Sequence, residues 1–158
     1  MDATQSSIPD LVAAARAEAK MFEARISGAS AAADMQSAIK GLEAVSVDIF
    51  TVFEARMQHH FKRGPFSRKL KGLLVEAGQG DLADRVHGYY LAINVLKHGK
   101  GASYRELLKF PSALLTLNAP SEEEEQSAQA GLIDVAADGF FEGLSTTILD
   151  AYHFLENR

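Results

Sequence analysis

"AAADMQSAIKGLEAVSVDIFTVFEARMQHHF", residues 31–61, is the stretch that decides the fold. Apolar side chains recur along it at three- and four-residue spacing, and one face carries Met35, Ile39, Leu42, Ile49, Phe53, Met57 and Phe61. This period predicts an amphipathic helix, and the single Gly41 is too weak a breaker to end it. We expect this helix to be the longest of the chain.

The first helix is predicted over about residues 9–27. Pro9 suits the first turn of a helix, with Ser7 or Ile8 just before it, because proline has a fixed φ and lacks an N–H that the first turn leaves unused. The pair Ser27-Gly28 is a stop signal, since glycine readily closes the C-terminal end of a helix.

A strong break separates the long helix from the middle of the chain. It is KRGPF at residues 62–66, where Gly64 can take a positive φ and Pro65 cannot continue a helix. A short helix over about 67–77 is predicted to follow. The sequence Gly-Gln-Gly at 78–80 then marks the next turn.

The next helix is predicted to begin at about Asp81, whose side chain can cap it. Either Tyr89 or Tyr90 lies on its core side, and the glycines of 99–101 end it. Ser103 then introduces a further short helix. The remaining core positions of the longer helix are apolar: Leu82, Val86, Ile93 and Leu96.

The last third of the chain is predicted to be irregular until its final helix. Residues 112–120 should be extended or irregular. Residues 121–131 form either an acidic helical turn capped by Ser121 with Glu124 or, as we favour, a solvated loop. The final helix is predicted over about 132–156, and its inward apolar side chains should complete the core.

Together these segments predict an all-α fold, a mostly antiparallel bundle of four to five main helices plus short helices. A chain of 158 residues that is 47% hydrophobic suits a single domain over residues 1–158. It has no cysteine, which excludes disulfides and thiolate metal sites. Because neither a signal peptide nor an apolar run of membrane-spanning length is present, we expect a soluble, cytoplasmic protein with no membrane contact.

The net charge of −5 is unevenly distributed. Residues 56–109 hold 11 of the 16 Lys and Arg residues against four acids, a net charge of +7, which leaves −12 for the rest of the chain. Such a separation arises either when basic and acidic helices neutralise each other across a bundle or when the basic part binds an anionic ligand. The sequence favours the first explanation.

Chemically active residue types gather in INVLKHGKGASY, residues 93–104. Asn94 and His98 lie four residues apart and therefore share one helix face. Lys97 and Lys100 bring cations to a helix C-terminus, where the macrodipole favours positive charge. A well-terminated helix without any function has the same composition, so both interpretations stay open.

This stretch resembles the motif region of the HEPN superfamily (higher eukaryotes and prokaryotes nucleotide-binding). Its members are compact helical bundles whose signature is an arginine and a polar residue, then a histidine and often a glycine. Asn94 matches the polar residue, His98 the histidine and Gly99 the glycine. Ile93 stands where the family has its arginine, and the match covers residues 93–99.

The resemblance implies a homodimer that binds RNA or another nucleotide-bearing partner, because many members cleave RNA without a metal in a site shared across a dimer. His98 would act as the general base for a 2′-hydroxyl, and Asn94 would orient it or the substrate. Lys97, Lys100 and Arg105 are the local cations for the phosphate. Because the arginine is missing, a binding or regulatory protein is at least as well supported as a nuclease.

A second cluster, RMQHHFKRGPFSRKLK at residues 56–71, places cations beside Phe61 and Phe66. Its candidate phosphate- or RNA-binding residues are Lys62, Arg63, Arg68, Lys69 and Lys71. Cations next to aromatic rings can hold phosphates and stack on unpaired bases. The favoured alternative is that the phenylalanines anchor the core and the cations are merely solvated. Nucleic-acid binding gains support if this turn folds near Lys97 and Lys100.

No metal or cofactor is predicted. Helical bundles often hold metals through paired Glu-x-x-His motifs, and none occurs in this sequence. Asp150 and His153 form a related pair at that spacing, with aspartate in place of glutamate, whereas His59 and His60 are adjacent and should diverge by about 100° on a helix. Nucleophilic triads, phosphate loops and dinucleotide fingerprints are also absent from the sequence.

Two functional hypotheses follow. The first is a HEPN-like helical protein that binds RNA or a nucleotide-bearing partner. The second is a non-catalytic protein–protein interaction module, in which the acidic flanks or the acidic residues 121–125 contact a partner and residues 93–104 only terminate a helix.

Overall fold

The computed structural model describes residues 6–109, 132–137 and 139–158. Within these ranges the chain forms six α-helices and no β-strand: α1 Ile8–Gly28, α2 Ala32–Met57, α3 Phe66–Glu76, α4 Gly80–His98, α5 Ala102–Lys109 and α6 Phe140–Glu156. The prediction of an all-α bundle is confirmed. None of the described helices combines the length and the apolar character needed to cross a membrane. The predictions for residues 112–120 and 121–131 lie outside the described residues.

Helices α1 and α2 pack against each other in opposite directions. Ser7 caps α1, since its hydroxyl accepts a hydrogen bond from the Asp10 N–H at 3.2 Å. The Arg56 guanidinium near the end of α2 donates to the Ser6 carbonyl before α1. Farther along the pair, a Cβ at position 41 would overlap the Phe22 ring. Gly41 therefore does not end α2, as predicted, and it lets the two helices approach closely.

The apolar face predicted for α2 forms much of the core. Leu42, Ile49, Phe53 and Met57 are all buried, in one cluster with side chains from each of the other described helices. The prediction is wrong for Met35, which lies in the first turn of α2 and is 39% exposed. Burial of this face stabilises the fold, because it removes apolar surface from water.

The chain turns sharply between α2 and α3. A short 3-10 helix, Gln58–His60, follows α2, and Gly64 then takes the predicted positive φ of 91°. Phe66 opens α3, and its ring meets the Phe53 ring edge-on at a centroid distance of 5.5 Å. This aromatic contact fixes α3 against the end of α2.

Helices α4 and α6 run in opposite directions, since Arg85 pairs with Asp150 at 3.0 Å and Tyr89 bonds to Phe140 earlier in α6. Tyr89, not Tyr90, is the buried tyrosine, and its hydroxyl donates to the Phe140 carbonyl at 3.0 Å. Burial raises the pKa of Tyr89 to about 12.

The predicted cap of α4 is wrong. The N-cap residue is Gln79, and no side chain bonds to the first turn there. Asp81 lies within the first turn instead, where its carboxylate still interacts favourably with the helix dipole. The short helix α5 begins at Ala102, so Ser103 lies inside it rather than before it.

The predicted start of the last helix at about 132 is also wrong, because α6 begins at Phe140. Leu132, Ile133 and Val135 are buried, so the apolar pattern correctly marks core residues but not a helix. The Asp134 carboxylate accepts a hydrogen bond from the Ala136 N–H at 3.1 Å, which is a local turn that competes with helix formation.

Candidate nucleic-acid interface

The first predicted site lies where α4 meets α5, and we call residues 87–106 the α4–α5 corner. Asn94 and His98 both line an open cavity there of about 400 Å³. The α4 helix phase brings them to the same side, and Gly99 ends the helix with a φ of 75°. His98 is exposed and Asn94 is half-buried.

Two pairs of polar side chains join α4 to α5 at the α4–α5 corner. Asn94 Nδ2 donates to Ser103 Oγ at 3.3 Å, and His87 Nε2 lies 2.5 Å from Glu106 Oε2. Among the described residues no hydrogen bond joins Asn94 to His98. The observed contacts hold α5 onto α4, a structural role that the sequence pattern alone did not show.

The position of the family's arginine lies inside the protein. Ile93 is 1% exposed and belongs to the hydrophobic core. A side chain at this position faces away from the cavity that Asn94 and His98 line. The departure from the HEPN signature is therefore more than a loss of charge, since the backbone places residue 93 where no substrate can reach it.

The three cations predicted to hold a phosphate at the α4–α5 corner are not among the residues that line its cavity. Lys100 and Arg105 are exposed. Lys97 is half-buried and lies close enough to Glu54 to lower the pKa of that carboxyl. The cavity walls therefore contain no lysine or arginine, in contrast to the positively charged recess that phosphate binding needs.

The second predicted site contains a larger cavity. An open cavity of about 610 Å³ lies beside α3, and we call it the α3 cleft. The residues that give it its chemical character are His60, Phe61, Arg68, Lys69, Glu76 and Arg158. Three cations against one carboxylate give the walls a net positive charge. Arg158 is a member that the sequence did not suggest, because it is about 90 residues distant in the chain from Arg68.

The cations at the α3 cleft lack the ion pairs that hold two arginines elsewhere in the protein. Arg16 pairs with Glu142, and Arg85 pairs with Asp150. Within the described part of the chain, the three cations that line the α3 cleft and three more that flank them in sequence make no ion pair or hydrogen bond: Arg68, Lys69 and Arg158 in the lining, and Lys62, Arg63 and Lys71 in the flanking segment. These positive charges are therefore available to an external anion.

The two phenylalanines of this segment have different roles. Phe66 is 5% exposed and anchors the core, as the alternative interpretation expects. Phe61 is only half-buried, lines the α3 cleft and leans edge-on against Phe66 at a centroid distance of 5.6 Å. One ring is thus structural, and the other is positioned beside the cations, where a base can stack on it.

Glu54 connects the two sites. Its carboxylate accepts a hydrogen bond from Ser67 in α3 at 3.4 Å, and it interacts with Lys97 near the end of α4. Burial raises the pKa of Glu54, while Lys97 and the Ser67 hydroxyl oppose that shift. The basic residues 56–71 and the end of α4 are therefore neighbours. This is the arrangement from which the nucleic-acid interpretation gains support.

A third group of polar side chains lies at the edge of the α3 cleft. The expectation that His59 and His60 diverge is wrong, because their ring centroids are only 4.2 Å apart. They lie in a 3-10 turn, and His59 Nδ1 is held 2.8 Å from the Arg56 carbonyl. His60 Nε2 lies 3.0 Å from Glu156 Oε2 at the end of α6. No sequence spacing suggests this cluster, since Glu156 is 96 residues from His60.

Comparison with known proteins adds no relative. No protein-family model matches the chain, and no significant match is found among curated proteins or solved structures. The resemblance of residues 93–99 to the HEPN signature stays a prediction.

Proposed function

We propose that this protein binds single-stranded RNA, or a partner that carries nucleotides, through the α3 cleft. One observation carries the proposal: three cations line an open cavity, three more flank them in sequence within residues 62–71, and none of the six makes an ion pair within the described part of the chain. The half-buried ring of Phe61 lines the same cavity. The choice of RNA rests on the resemblance to the HEPN superfamily.

The chemistry of the α3 cleft suits a phosphodiester chain. Arginine and lysine attract phosphates at long range and release condensed counterions when they bind them. Phe61 offers a face for a base, and stacking tolerates any sequence because every base has a π-face. Glu76 is the opposing charge in the cleft wall, and it limits how deeply a phosphate can enter on that side. We expect binding with little sequence preference.

The geometry supports binding better than cleavage. Metal-independent cleavage needs a cation beside the phosphate to stabilise developing charge. At the α4–α5 corner, the cavity that His98 and Asn94 line has no lysine or arginine in its wall. Asn94 is engaged with Ser103, and the arginine position is occupied by the buried Ile93. We therefore propose a binding protein in which any cleavage at His98 is weak.

Binding is tested by fluorescence anisotropy with a labelled single-stranded RNA of about 12 nucleotides, a length that spans a typical site. Six phosphate contacts on a single strand predict that affinity falls about 300-fold between roughly 50 and 200 mM salt. The double variant Arg68→Gln/Lys69→Gln should reduce that loss to about 50-fold, because two contacts are removed. A matched control, Lys20→Gln/Lys40→Gln, makes the same change of charge at exposed positions in α1 and α2.

Three results would contradict the proposal: no binding at low salt, binding that ignores salt, or equal loss in the α3 and control variants. Equal loss would mean that the RNA responds to total charge rather than to the α3 cleft. The same RNA incubated with EDTA tests cleavage. Cleavage that persists unchanged in His98→Ala would remove His98 from any mechanism. Light scattering of the same sample measures the molar mass and so tests the predicted homodimer.

A further inference from the structure

A cluster of two histidines and one glutamate lies where the end of α2 meets the end of α6. One ring nitrogen of His59, one of His60 and one carboxylate oxygen of Glu156 all lie within 4.8 Å of one another. The cluster joins segments that are 96 residues apart in sequence, so local helix geometry does not account for it. His60 is half-buried, and the other two side chains are exposed.

The hydrogen bond made by His59 leaves one of its ring nitrogens able to bind a cation. His59 Nδ1 lies 2.8 Å from the Arg56 carbonyl oxygen, which can only accept, so this nitrogen carries the proton. The other ring nitrogen, Nε2, then keeps its lone pair. A backbone carbonyl that holds one ring nitrogen of a histidine is the usual support of a metal-bound imidazole.

The spacing of the second pair also suits a metal. His60 Nε2 and Glu156 Oε2 are 3.0 Å apart. Two ligand atoms on a tetrahedral Zn²⁺, each about 2.0–2.1 Å from the ion, are separated by about 3.3 Å. The 3.0 Å between these two atoms is close to that ligand separation, and a His59 ring nitrogen lies within 4.8 Å of both.

We propose that His59, His60 and Glu156 form a Zn²⁺ site. Two imidazole nitrogens and one carboxylate oxygen are donors that suit Zn²⁺. Mg²⁺ and Ca²⁺ fit this set less well, because they favour oxygen donors alone. Three protein ligands leave a fourth position open. Because His60 also lines the α3 cleft, that position lies at the edge of the cleft and is open to water or an anion.

The site does not depend on the proposed RNA binding. An ion there would link the 3-10 turn after α2 to the last turn of α6, and it would stabilise the folded chain over the unfolded one. It would also add positive charge at the edge of the cleft, next to Arg68, Lys69 and Arg158. RNA binding and metal binding can therefore fail separately.

The test uses tag-free protein of the full chain, stripped with EDTA and then desalted. Titration calorimetry with Zn²⁺ should show one ion per chain, and Co²⁺ as a second probe should give the visible absorption of a four- or five-coordinate site. His59→Ala, His60→Ala and Glu156→Gln should each weaken Zn²⁺ binding at least roughly tenfold, since loss of even an outer-shell partner costs that much. Circular dichroism checks that each variant is folded.

His153→Ala is the matched control, because His153 is an exposed histidine of α6 that lies outside the cluster. Its affinity for Zn²⁺ should change less than twofold. The proposal is overturned if wild-type protein binds no stoichiometric Zn²⁺, if the double variant His59→Ala/His60→Ala binds it as tightly as wild type, or if His153→Ala is the variant that loses it.

Discussion

The α4–α5 corner and the α3 cleft contain similar residue types, yet they use them differently. At the α4–α5 corner two polar pairs join the helices, Asn94 with Ser103 and His87 with Glu106. The corner cations Lys100 and Arg105 do not line its cavity. At the α3 cleft, cations such as Arg68 and Lys69 have no such partner among the described residues. The stretch that most resembles a catalytic motif thus has its Asn94 engaged within the protein and no lysine or arginine in its cavity wall.

The difference teaches how to separate structural polar groups from groups that bind ligands. A hydrogen bond within the protein contributes about 1 kcal/mol and is a sufficient reason for a polar side chain to be present. Clustered cations without partners repel one another and so disfavour the folded state. An anionic ligand would relieve that repulsion, and the α3 cleft is therefore the better candidate for function.

The most severe test of this comparison is to introduce an arginine at position 93, where the HEPN signature has one. Ile93→Arg places a charge at a core position that is 1% exposed. We expect a loss of about 4 kcal/mol or more in the free energy of unfolding, because the buried guanidinium has no partner there. Urea denaturation followed by circular dichroism measures the loss.

Ile93→Val is its control, with an expected cost of about 1 kcal/mol for the lost methylene. If Ile93→Arg instead unfolds at the wild-type urea concentration and cleaves RNA, position 93 reaches the cavity of the α4–α5 corner. The structural interpretation of that region would then be wrong.

The second prediction compares the two regions directly. Arg68→Gln/Lys69→Gln should weaken RNA binding about tenfold at low salt, because both side chains line the α3 cleft. Lys100→Gln/Arg105→Gln removes the same charge at the α4–α5 corner, where neither side chain lines the cavity, and should weaken binding about twofold through long-range attraction alone. Anisotropy titrations measure both. If the corner variant instead weakens RNA binding more than the α3 variant, the RNA interface lies at the α4–α5 corner.

Helix positions in this protein follow from local sequence, and for that reason they are predictable. The break at Gly64-Pro65 and the end of α4 at Gly99 are set by residues with special backbone preferences, and α1 ends at the predicted Gly28. The start of α6 fails because Asp134 makes a turn that periodicity does not detect. Apolar spacing identifies buried residues more reliably than it identifies helix.

The candidate sites were less predictable, because contacts distant in sequence decide them. Spacing correctly placed Asn94 beside His98 and the cations beside Phe61. It did not show that Ser103 engages Asn94, or that Arg158 joins the α3 cleft. These facts depend on how α5 and α6 pack, which a single sequence does not encode locally.

A third prediction sharpens the structural interpretation of the α4–α5 corner. Asn94→Ala should lower the free energy of unfolding by about 1 kcal/mol, since it removes the hydrogen bond to Ser103. His98→Ala should change it by less than about 0.5 kcal/mol, because His98 is exposed and makes no hydrogen bond in the described residues. Urea denaturation of both variants measures the difference. An equal effect of the two substitutions would mean that Asn94 has no special structural role.

The smallest expected effect concerns Glu54, the carboxyl between the two regions. Its pKa is raised above 4.5 by burial, so the folded state binds its proton more tightly than the unfolded state, and its ionisation costs stability as pH rises through the raised pKa. Glu54→Gln removes that cost and should stabilise the protein by a few tenths of a kcal/mol at neutral pH. The gain should vanish below about pH 4.5, where the wild-type carboxyl is protonated in both states. Urea midpoints at the two pH values measure this, with Glu18→Gln at an exposed position of α1 as the control. If Glu54→Gln instead destabilises the protein at neutral pH, the attraction between Glu54 and Lys97 outweighs the cost of burying the carboxylate. That contact would then hold the end of α4 against the basic residues 56–71.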